Sequence, residues 1–148
     1  MASFEIEGGY RLRGSITPQG AKNEALQVIC AVLLTSEKVV IENVPDIRDV
    51  NKLIELLQLL GVKVSCTYQD ADSRTFEFQA DEVSLAALES PDYSQQATAL
   101  RGSIMLLGPL LARFGYALVP QPGGDKIGRR RLDTHFNGME ALGASVSY

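Results

Sequence analysis

Apolar residues recur at two different periods along the first half of the chain. At some places they lie three and four positions apart, which is the spacing of an amphipathic helix. At others they alternate with polar residues or form short β-branched runs, which is typical of strands. The helical spacing covers residues 21–35 and 47–60, and the strand patterns cover residues 38–44, 62–68 and 75–80. We therefore predict the order α-β-α-β-β, with Gly61 ending the second helix and the last two strands forming a hairpin.

The same order begins again in the second half of the chain. We predict a helix over residues 95–114, a strand over 116–119, a helix over 133–142 and the start of a strand at 144–148. The sequences LLGVKVS and ALGASVS, about 80 residues apart, span the ends of the corresponding helices of the two copies. Short strands are also expected within residues 4–12. The prediction is thus an α/β (α+β) chain of repeated β-α-β-α-β-β units, about two of them present and the second incomplete.

The composition limits the classes of function. The chain has 148 residues, 45% of them hydrophobic and 22% charged, which is typical of a globular domain. No apolar run approaches the roughly 20 residues that a membrane-spanning helix needs. The net charge of −4 argues against nucleic acid, because such proteins neutralise phosphates with an excess of Lys and Arg. We expect a cytoplasmic protein without a membrane or nucleic-acid partner.

The two cysteines do not point to a metal or a disulfide framework. Cys30 lies in an apolar helical run and Cys66 in a predicted strand, with neither a zinc-ligand spacing nor enough thiols for a framework. We interpret both as packing residues. The cysteines therefore predict no zinc site.

Basic residues stand out at two helix positions in spite of the negative net charge. Lys22 begins a predicted helix, where the backbone N–H groups and the helix dipole favour an anion. Arg101 interrupts an apolar stretch, and an arginine there must be paired or bind a ligand. Their matching places in the two copies predict that both face one cleft. The alternatives are a solvated lysine and an arginine that faces water and pairs with Asp92.

A third concentration of charge lies in the loop over residues 120–133. Prolines and glycines lead into a run of cations, and a carboxylic acid, Asp125, stands at the tip of the loop among them. The cations are Lys126, Arg129, Arg130 and Arg131. This composition is typical of a lid that closes over an anion and supplies a proton donor, or else of a charged surface loop. Asp133 could cap the following helix, and the single histidine, His135, cannot build a Ser-His-Asp or metal cluster.

Three segments together resemble the enolpyruvyltransferase family. They are GAKNEAL at residues 20–26, LRGSIMLLGPLLARFG at 100–115 and PGGDKIGRRRLDTH at 122–135, and the resemblance extends over nearly the whole chain. Members of the shikimate pathway carry a serine-rich GSKS-type turn and a glycine-rich asparagine motif, neither of which occurs in this sequence. The resemblance is therefore stronger to the members that act on UDP-N-acetylglucosamine in peptidoglycan synthesis.

The resemblance implies a fold and a reaction. The fold is an inside-out α/β barrel of two similar domains, each of three β-α-β-α-β-β units, with the active site between them. Residues 22–148 would supply about two units of one domain, and residues 1–21 would belong with a second domain that we expect to lie outside this chain. The reaction transfers the enolpyruvyl group of phosphoenolpyruvate to the 3-hydroxyl of UDP-N-acetylglucosamine, and the resemblance implies no metal and no organic cofactor. This chain alone is expected to be inactive.

The resemblance also assigns residues to the site. Lys22 and Asp125 would be catalytic, and Asp125 holds the loop-tip place that most members fill with cysteine. The residues implied in substrate binding are Lys22, Asn23, Arg101, Arg130, Arg131, Leu132, Asp133 and Thr134. Arg131 stands where a proline is usual. Because fosfomycin alkylates the usual cysteine, the aspartate implies resistance to this antibiotic.

Other functions stay open on the sequence alone. A 3-phosphoshikimate enolpyruvyltransferase-like enzyme would share the fold and much of the charge pattern. A non-catalytic module that binds a nucleotide sugar or phosphate would also account for the Lys and Arg residues, as would a stable but inactive structural domain. A second, similar domain in the full-length gene would favour the enzyme over the module.

Overall fold

A computed structural model of the chain describes residues 3–70, 73–121 and 131–147. The α-helices are α1 (Lys22–Ala31), α2 (Arg48–Leu59), α3 (Pro91–Ala99), α4 (Leu107–Phe114) and α5 (Asp133–Ala141). The strands are β1 (Lys38–Val44), β2 (Lys63–Gln69) and β3 (Arg74–Gln79). Short 3-10 segments span Val32–Leu34, Leu85–Glu89 and Arg101–Leu106. The predicted order α-β-α-β-β is confirmed as α1-β1-α2-β2-β3, and each strand lies within one residue of its predicted position.

The three strands form one antiparallel sheet in the order β1-β3-β2. β3 lies in the middle, so the predicted hairpin of β2 and β3 is confirmed and β1 completes the other side. Residues of β3 alternate between buried and half-buried, and Phe76 and Phe78 are among the buried ones. One face of the sheet therefore packs against the helices, as period-two alternation requires.

The hydrophobic core lies between this face and the helices. α2 contributes Val50, Leu53 and Leu57, all fully buried and spaced as the helical period predicts. Burying one such side chain stabilises the fold by about 1.5–3 kcal/mol, so the pattern decides which face of α2 is inside. Tyr93 of α3 is also fully buried, and its hydroxyl donates a hydrogen bond of 2.9 Å to the carbonyl of Leu118.

α2 ends in a glycine with a left-handed backbone. Gly61 has a φ of 94°, and its N–H donates to the carbonyl of Gln58 at 2.9 Å. The N–H of Val62 donates to the carbonyl of Leu57 at 3.0 Å. These two bonds form a Schellman motif, which satisfies carbonyls that the last helical turn leaves free. The predicted helix end at Gly61 is confirmed.

α5 ends in the same way. Gly143 has a φ of 98°, and its N–H donates to the carbonyl of Glu140 at 2.9 Å. The N–H of Ala144 donates to the carbonyl of Met139 at 3.0 Å. The sequence echo between LLGVKVS and ALGASVS thus corresponds to two helix endings of the same type.

Arg113, in the last turn of α4, connects three parts of the chain. Its Nη1 donates to the carbonyl oxygens of Leu33 and Thr35 at 3.0 and 2.8 Å, and to that of Ala80 at 2.8 Å. The first two carbonyls follow α1 and the third follows β3. α4 is thereby fixed to the end of the sheet and to the turn after α1.

The predicted helix over residues 95–114 is wrong, because the structure divides this stretch. α3 ends at Ala99, Leu100 is extended with φ −123° and ψ 112°, and a 3-10 segment leads into α4. In a continuous helix Pro109 would remove a backbone hydrogen bond and clash with the preceding turn. The division places Pro109 near the start of α4, where its ring is tolerated.

The strands predicted within residues 4–12, at 116–119 and at 144–147 are wrong for the described chain. These residues are irregular and pair with no strand of the sheet. Phe4 is 94% exposed and Leu118 is 40% exposed, so neither side chain is fully covered by a neighbour. A strand needs a partner for its N–H and C=O groups, and alternation alone does not supply one. The described chain is thus a mixed α/β fold with one small antiparallel sheet.

Within the described residues, no helix is both long enough and apolar enough to cross a membrane.

Candidate functional site

A cleft of about 660 Å³ opens where α1, α2 and the 3-10 segment Arg101–Leu106 meet. Its polar lining consists of Lys22, Asn23, Gln27, Arg48, Asp49, Lys52 and Arg101. Its apolar lining includes Leu26, Leu100, Ile104 and Met105. The volume is that of a small-molecule site, and four cations face a single carboxylate among these described lining residues. The cleft is therefore suited to an anionic ligand, although the chain as a whole is negatively charged.

Three elements begin at this cleft, each with a basic residue. Lys22 is the first residue of α1, Arg48 of α2 and Arg101 of the 3-10 segment. The first N–H groups of a helix lack intrahelical partners, and the helix dipole adds positive potential there. A cation at such a position is mildly unfavourable unless an anion is close. The N-terminal ends of these three elements, each with its basic residue, together concentrate positive potential in the cleft.

Lys22 is held by an acid from the neighbouring helix. Its Nζ lies 2.9 Å from Oδ2 of Asp49, which is in the first turn of α2. The two side chains are 43% and 42% exposed, and ion pairs of this exposure add little to stability. The pair instead fixes where the ammonium group lies within the cleft. No pattern in the sequence marked Asp49, because acids are common in a first helical turn.

The start of α1 is positioned by a close backbone approach. A Cβ on Gly20 would lie 1.9 Å from the carbonyl oxygen of Asn43, so only glycine fits where the chain passes the end of β1. Asn43 itself has a φ of 55°, in the left-handed region. The glycine of the GAKN motif is therefore needed to bring Lys22 to the cleft.

The start of α2 is positioned by a buried arginine. Arg74 of β3 is 8% exposed, and its Nη2 donates to the carbonyl of Pro45 and to Oδ1 of Asn51, both at 2.7 Å. Its Nη1 lies 3.3 Å from Oδ1 of Asp46. These contacts join the sheet to the turn before α2 and to its first turns. Arg74 falls between the strands predicted at residues 62–68 and 75–80, and the sequence pattern did not indicate this role.

The predicted convergence of Lys22 and Arg101 on one cleft is confirmed, and Asn23 lies with them. The break at Leu100 makes this possible, since it turns the chain so that Arg101 begins a new element. Ser103 Oγ donates a hydrogen bond of 2.8 Å to the carbonyl of Ala97, which connects the 3-10 segment to α3 across the break. The catalytic and binding roles of these residues stay predictions.

The predicted residues at the start of α5 are not part of this cleft lining. They are Arg131, Leu132, Asp133 and Thr134. The Nε of Arg131 donates to Oδ2 of Asp133 at 2.6 Å, and its Nη2 contacts the same oxygen. Asp133 is the first residue of α5, and the cap position is held by Leu132 instead. The predicted capping role of Asp133 is therefore wrong.

Asp125 and Arg130 lie outside the described residues, as does the rest of the stretch 122–130. The predicted lid and proton donor are thus not tested by the structure.

The two cysteines have different surroundings. Cys30 is 1% exposed, and burial raises the pKa of its thiol from 9.0 to about 12. Cys66 is exposed on β2, and its Sγ donates to the carbonyl of Tyr68 at 3.3 Å. The packing role is confirmed for Cys30 and wrong for Cys66. In the part of the chain that the structure describes, no cluster of His, Cys, Asp and Glu could hold a metal ion.

The sequence profile of the EPSP synthase (3-phosphoshikimate 1-carboxyvinyltransferase) family matches residues 6–148. The chain belongs to this family. Among curated relatives, the UDP-N-acetylglucosamine 1-carboxyvinyltransferase of Bacteroides thetaiotaomicron is 58% identical over all 148 residues, and that of Porphyromonas gingivalis is 57% identical over the same length. The protein of that name from Bradyrhizobium diazoefficiens is 46% identical over 144 residues, or 97% of the chain.

The chain spans about a third of the length of these relatives, 33% for the first two and 32% for the third. Membership of the EPSP synthase family confirms the resemblance drawn from the motifs. The cleft of this family member contains the GAKN lysine and asparagine and the arginine of LRGSIMLLG. Arg48, Asp49 and Lys52 also line it and were not singled out by the sequence.

Proposed function

We propose that this chain is part of an enzyme that transfers the enolpyruvyl group of phosphoenolpyruvate to the 3-hydroxyl of UDP-N-acetylglucosamine. This is the first committed step of peptidoglycan synthesis. The observation that carries the proposal is the convergence of Lys22, Asn23 and Arg101 on one cationic cleft. Both substrates carry phosphate, and the names of relatives identical at 57–58% over the whole chain support the choice of substrates.

The reaction is an addition followed by an elimination. A proton is added to the methylene carbon of phosphoenolpyruvate while the sugar 3-hydroxyl oxygen bonds to C2 and loses its proton. The resulting tetrahedral ketal then loses phosphate by cleavage of the C2–O bond, and a proton leaves the methyl group to restore the double bond. Negative charge stays on the phosphate throughout, so fixed cations in the cleft stabilise both steps.

Each residue has a proposed role in this sequence. Lys22, held by Asp49, and Arg101 stabilise the phosphate charge, and Asn23 positions the sugar. Asp125 supplies the proton to the methylene carbon. On the nucleotide side, the proposed contacts are Arg130, Arg131, Leu132, Asp133 and Thr134.

The proposal includes a second domain that faces the cleft and completes it. Residues 22–148 would then form about two β-α-β-α-β-β units of one domain of an inside-out barrel. Residues 1–21 would pack against the second domain. Support comes from Phe4, Ile6 and Leu12, whose side chains are 94%, 88% and 93% exposed, since large apolar side chains so exposed are typical of a surface that a partner covers. A cytoplasmic location fits a nucleotide-sugar substrate.

A 3-phosphoshikimate enolpyruvyltransferase is the second candidate, because the matching family carries that name. The three curated relatives, at 46–58% identity, are instead named for UDP-N-acetylglucosamine. The absence of a GSKS-type turn from the sequence also favours the nucleotide sugar.

The test is product formation by the complete enzyme. Phosphoenolpyruvate is supplied with either UDP-N-acetylglucosamine or shikimate 3-phosphate, and the product is identified by mass spectrometry. We expect an enolpyruvyl ether of the nucleotide sugar and one phosphate released per product molecule. Product from shikimate 3-phosphate alone would select the second candidate, and product from neither acceptor would contradict the enzyme proposal.

A further inference from the structure

Lys52 differs from the other lysines that the structure describes. Lys22, Lys38 and Lys63 are exposed, and each has a carboxylate oxygen within 2.9 Å of its Nζ. Lys52 is half-buried, yet within the described chain no carboxylate lies within 4.0 Å of its ammonium group. The lysine with the smaller exposed fraction is thus the one without a carboxylate partner among the described residues. A cation that lines a cleft without such a partner attracts an anion, so a phosphate brought to it would gain a charge-assisted contact.

Arg48 stands one helical turn before Lys52 on α2. Residues four apart lie on the same helix face, and a helical side chain leans toward the N-terminal turn. Both residues line the cleft, and Arg48 is exposed at the N-terminal end of α2, where the dipole already favours an anion. Asp49, the carboxylate of this cleft, is already engaged by Lys22. Arg48 and Lys52 therefore face the cleft outside that ion pair.

We propose that Lys52, together with Arg48, forms a second anion position of the cleft that takes a phosphate group, beside the position of Lys22 and Arg101. The inference rests on the proposed function for the source of that phosphate. It can be the diphosphate of the nucleotide sugar or the phosphate of phosphoenolpyruvate. Two anion positions match a site that must hold two phosphorylated ligands at once.

A structural role for Lys52 makes a different prediction. Lysine often covers apolar surface with its methylene stem while its ammonium group remains in water. In that case methionine, whose side chain is unbranched, apolar and of comparable length, would preserve the function of the residue. An anion position instead needs the charge, so arginine would substitute and glutamine would not.

The test measures equilibrium binding to the complete protein by calorimetry at low ionic strength, with UDP and phosphoenolpyruvate as separate probes. Lys52→Gln is compared with Lys52→Arg and with the control Lys38→Gln, whose residue lies on the sheet and pairs with Glu77. We expect Lys52→Gln to weaken binding of one probe about fivefold, as the loss of one partly screened charge would. Lys52→Arg and Lys38→Gln should bind as the wild type does.

The probe that loses affinity identifies the source of the phosphate. Equal weakening by Lys52→Gln and Lys38→Gln would overturn the proposal, because it would reflect net charge alone. Unchanged binding of both probes by Lys52→Gln would also overturn it. Transfer activity is assayed separately: binding that depends on Lys52 in a protein without transfer activity would leave this proposal standing and remove the proposed function.

Discussion

Burial separates the chemistry of the two cysteines. Cys30 is buried and its thiol pKa is raised to about 12, whereas Cys66 is exposed on β2. Thiolate is the reactive form, and reagents must also reach it. We expect a disulfide reagent at pH 8 to label one thiol quickly in the native protein, and a second only after unfolding in denaturant.

The matched control is Cys66→Ser, which should show no rapid labelling. Labelling of Cys30 in that variant as fast as in denaturant would contradict the burial of its side chain.

The raised pKa of the Cys30 thiol also makes the stability of the fold depend on pH. Because folding raises the pKa of the Cys30 thiol, the native state keeps this thiol neutral at a pH where the unfolded state ionises it. The free energy of unfolding therefore falls as the pH rises from 9.0 toward about 12.

The carboxylate of Asp125 should react with fosfomycin differently from a cysteine at the same position. A carboxylate is a harder and weaker nucleophile than a thiolate, so it should open the fosfomycin epoxide much more slowly, while a carboxyl group can still donate a proton. We expect the complete enzyme to resist fosfomycin. Asp125→Cys should stay active and become inactivated by fosfomycin in a time-dependent way, followed by phosphate release.

The control for this experiment is Asp125→Ala, which should lose most activity because it lacks a proton donor. Full activity of Asp125→Ala would show that the residue is wrongly assigned. Inactivation of the wild type as fast as Asp125→Cys would show the same.

Lys22 and Arg101 could be predicted from the sequence because each is anomalous where it stands. A lysine at a helix start opposes the dipole, and an arginine within apolar residues needs a partner. Asp49 and Lys52 could not be predicted, since both are ordinary residues on an amphipathic helix. Their importance arises where α1 packs against α2, and a one-dimensional pattern does not contain that contact.

The Schellman motifs at the ends of α2 and α5 give a matched comparison. Gly61 and Gly143 have φ values of 94° and 98°. A Cβ on Gly61 would lie 2.5 Å from the carbonyl oxygen of Glu82, whereas a Cβ on Gly143 meets nothing within 4 Å. Gly143→Ala should therefore cost only the left-handed conformation, about 1 kcal/mol, and Gly61→Ala should cost clearly more.

Urea denaturation of both variants measures these costs as changes in the free energy of unfolding. Equal costs for the two variants would mean that the contact between residue 61 and Glu82 does not constrain the fold.

The elements that could be predicted share one property, which is that local sequence determines them. α2 has an uninterrupted helical period and a glycine stop, and β1 and β3 have β-branched or alternating runs that pair with each other. The prediction of one long helix over residues 95–114 is wrong because hydrophobic periodicity does not reveal that the backbone of Leu100 is extended. It also does not reveal that Pro109 must lie near the start of a helix. The strand at 116–119 was wrong because pairing depends on a partner elsewhere in the chain.

The cleft between α1, α2 and the segment around Arg101 is partly open to solvent. Its described lining comes from α1, α2 and the segment around Arg101, and the proposed second domain would face it. Affinity falls about tenfold for each 1.4 kcal/mol of lost contact. We expect the 148-residue chain alone to bind UDP-N-acetylglucosamine weakly or not at all in calorimetry. Micromolar binding by this chain would contradict a site shared between two domains.

The cleft between α1, α2 and Arg101 is the proposed site of enolpyruvyl transfer. The most direct measurement is the rate of phosphate release by the complete enzyme with both substrates, for Lys22→Gln, Arg101→Gln and the control Lys38→Gln. We expect the first two variants to lose about a hundredfold or more in kcat/KM, as removal of a charge-stabilising group does, and the control to match the wild type. Wild-type rates in Lys22→Gln and Arg101→Gln, with folding intact, would contradict the claim.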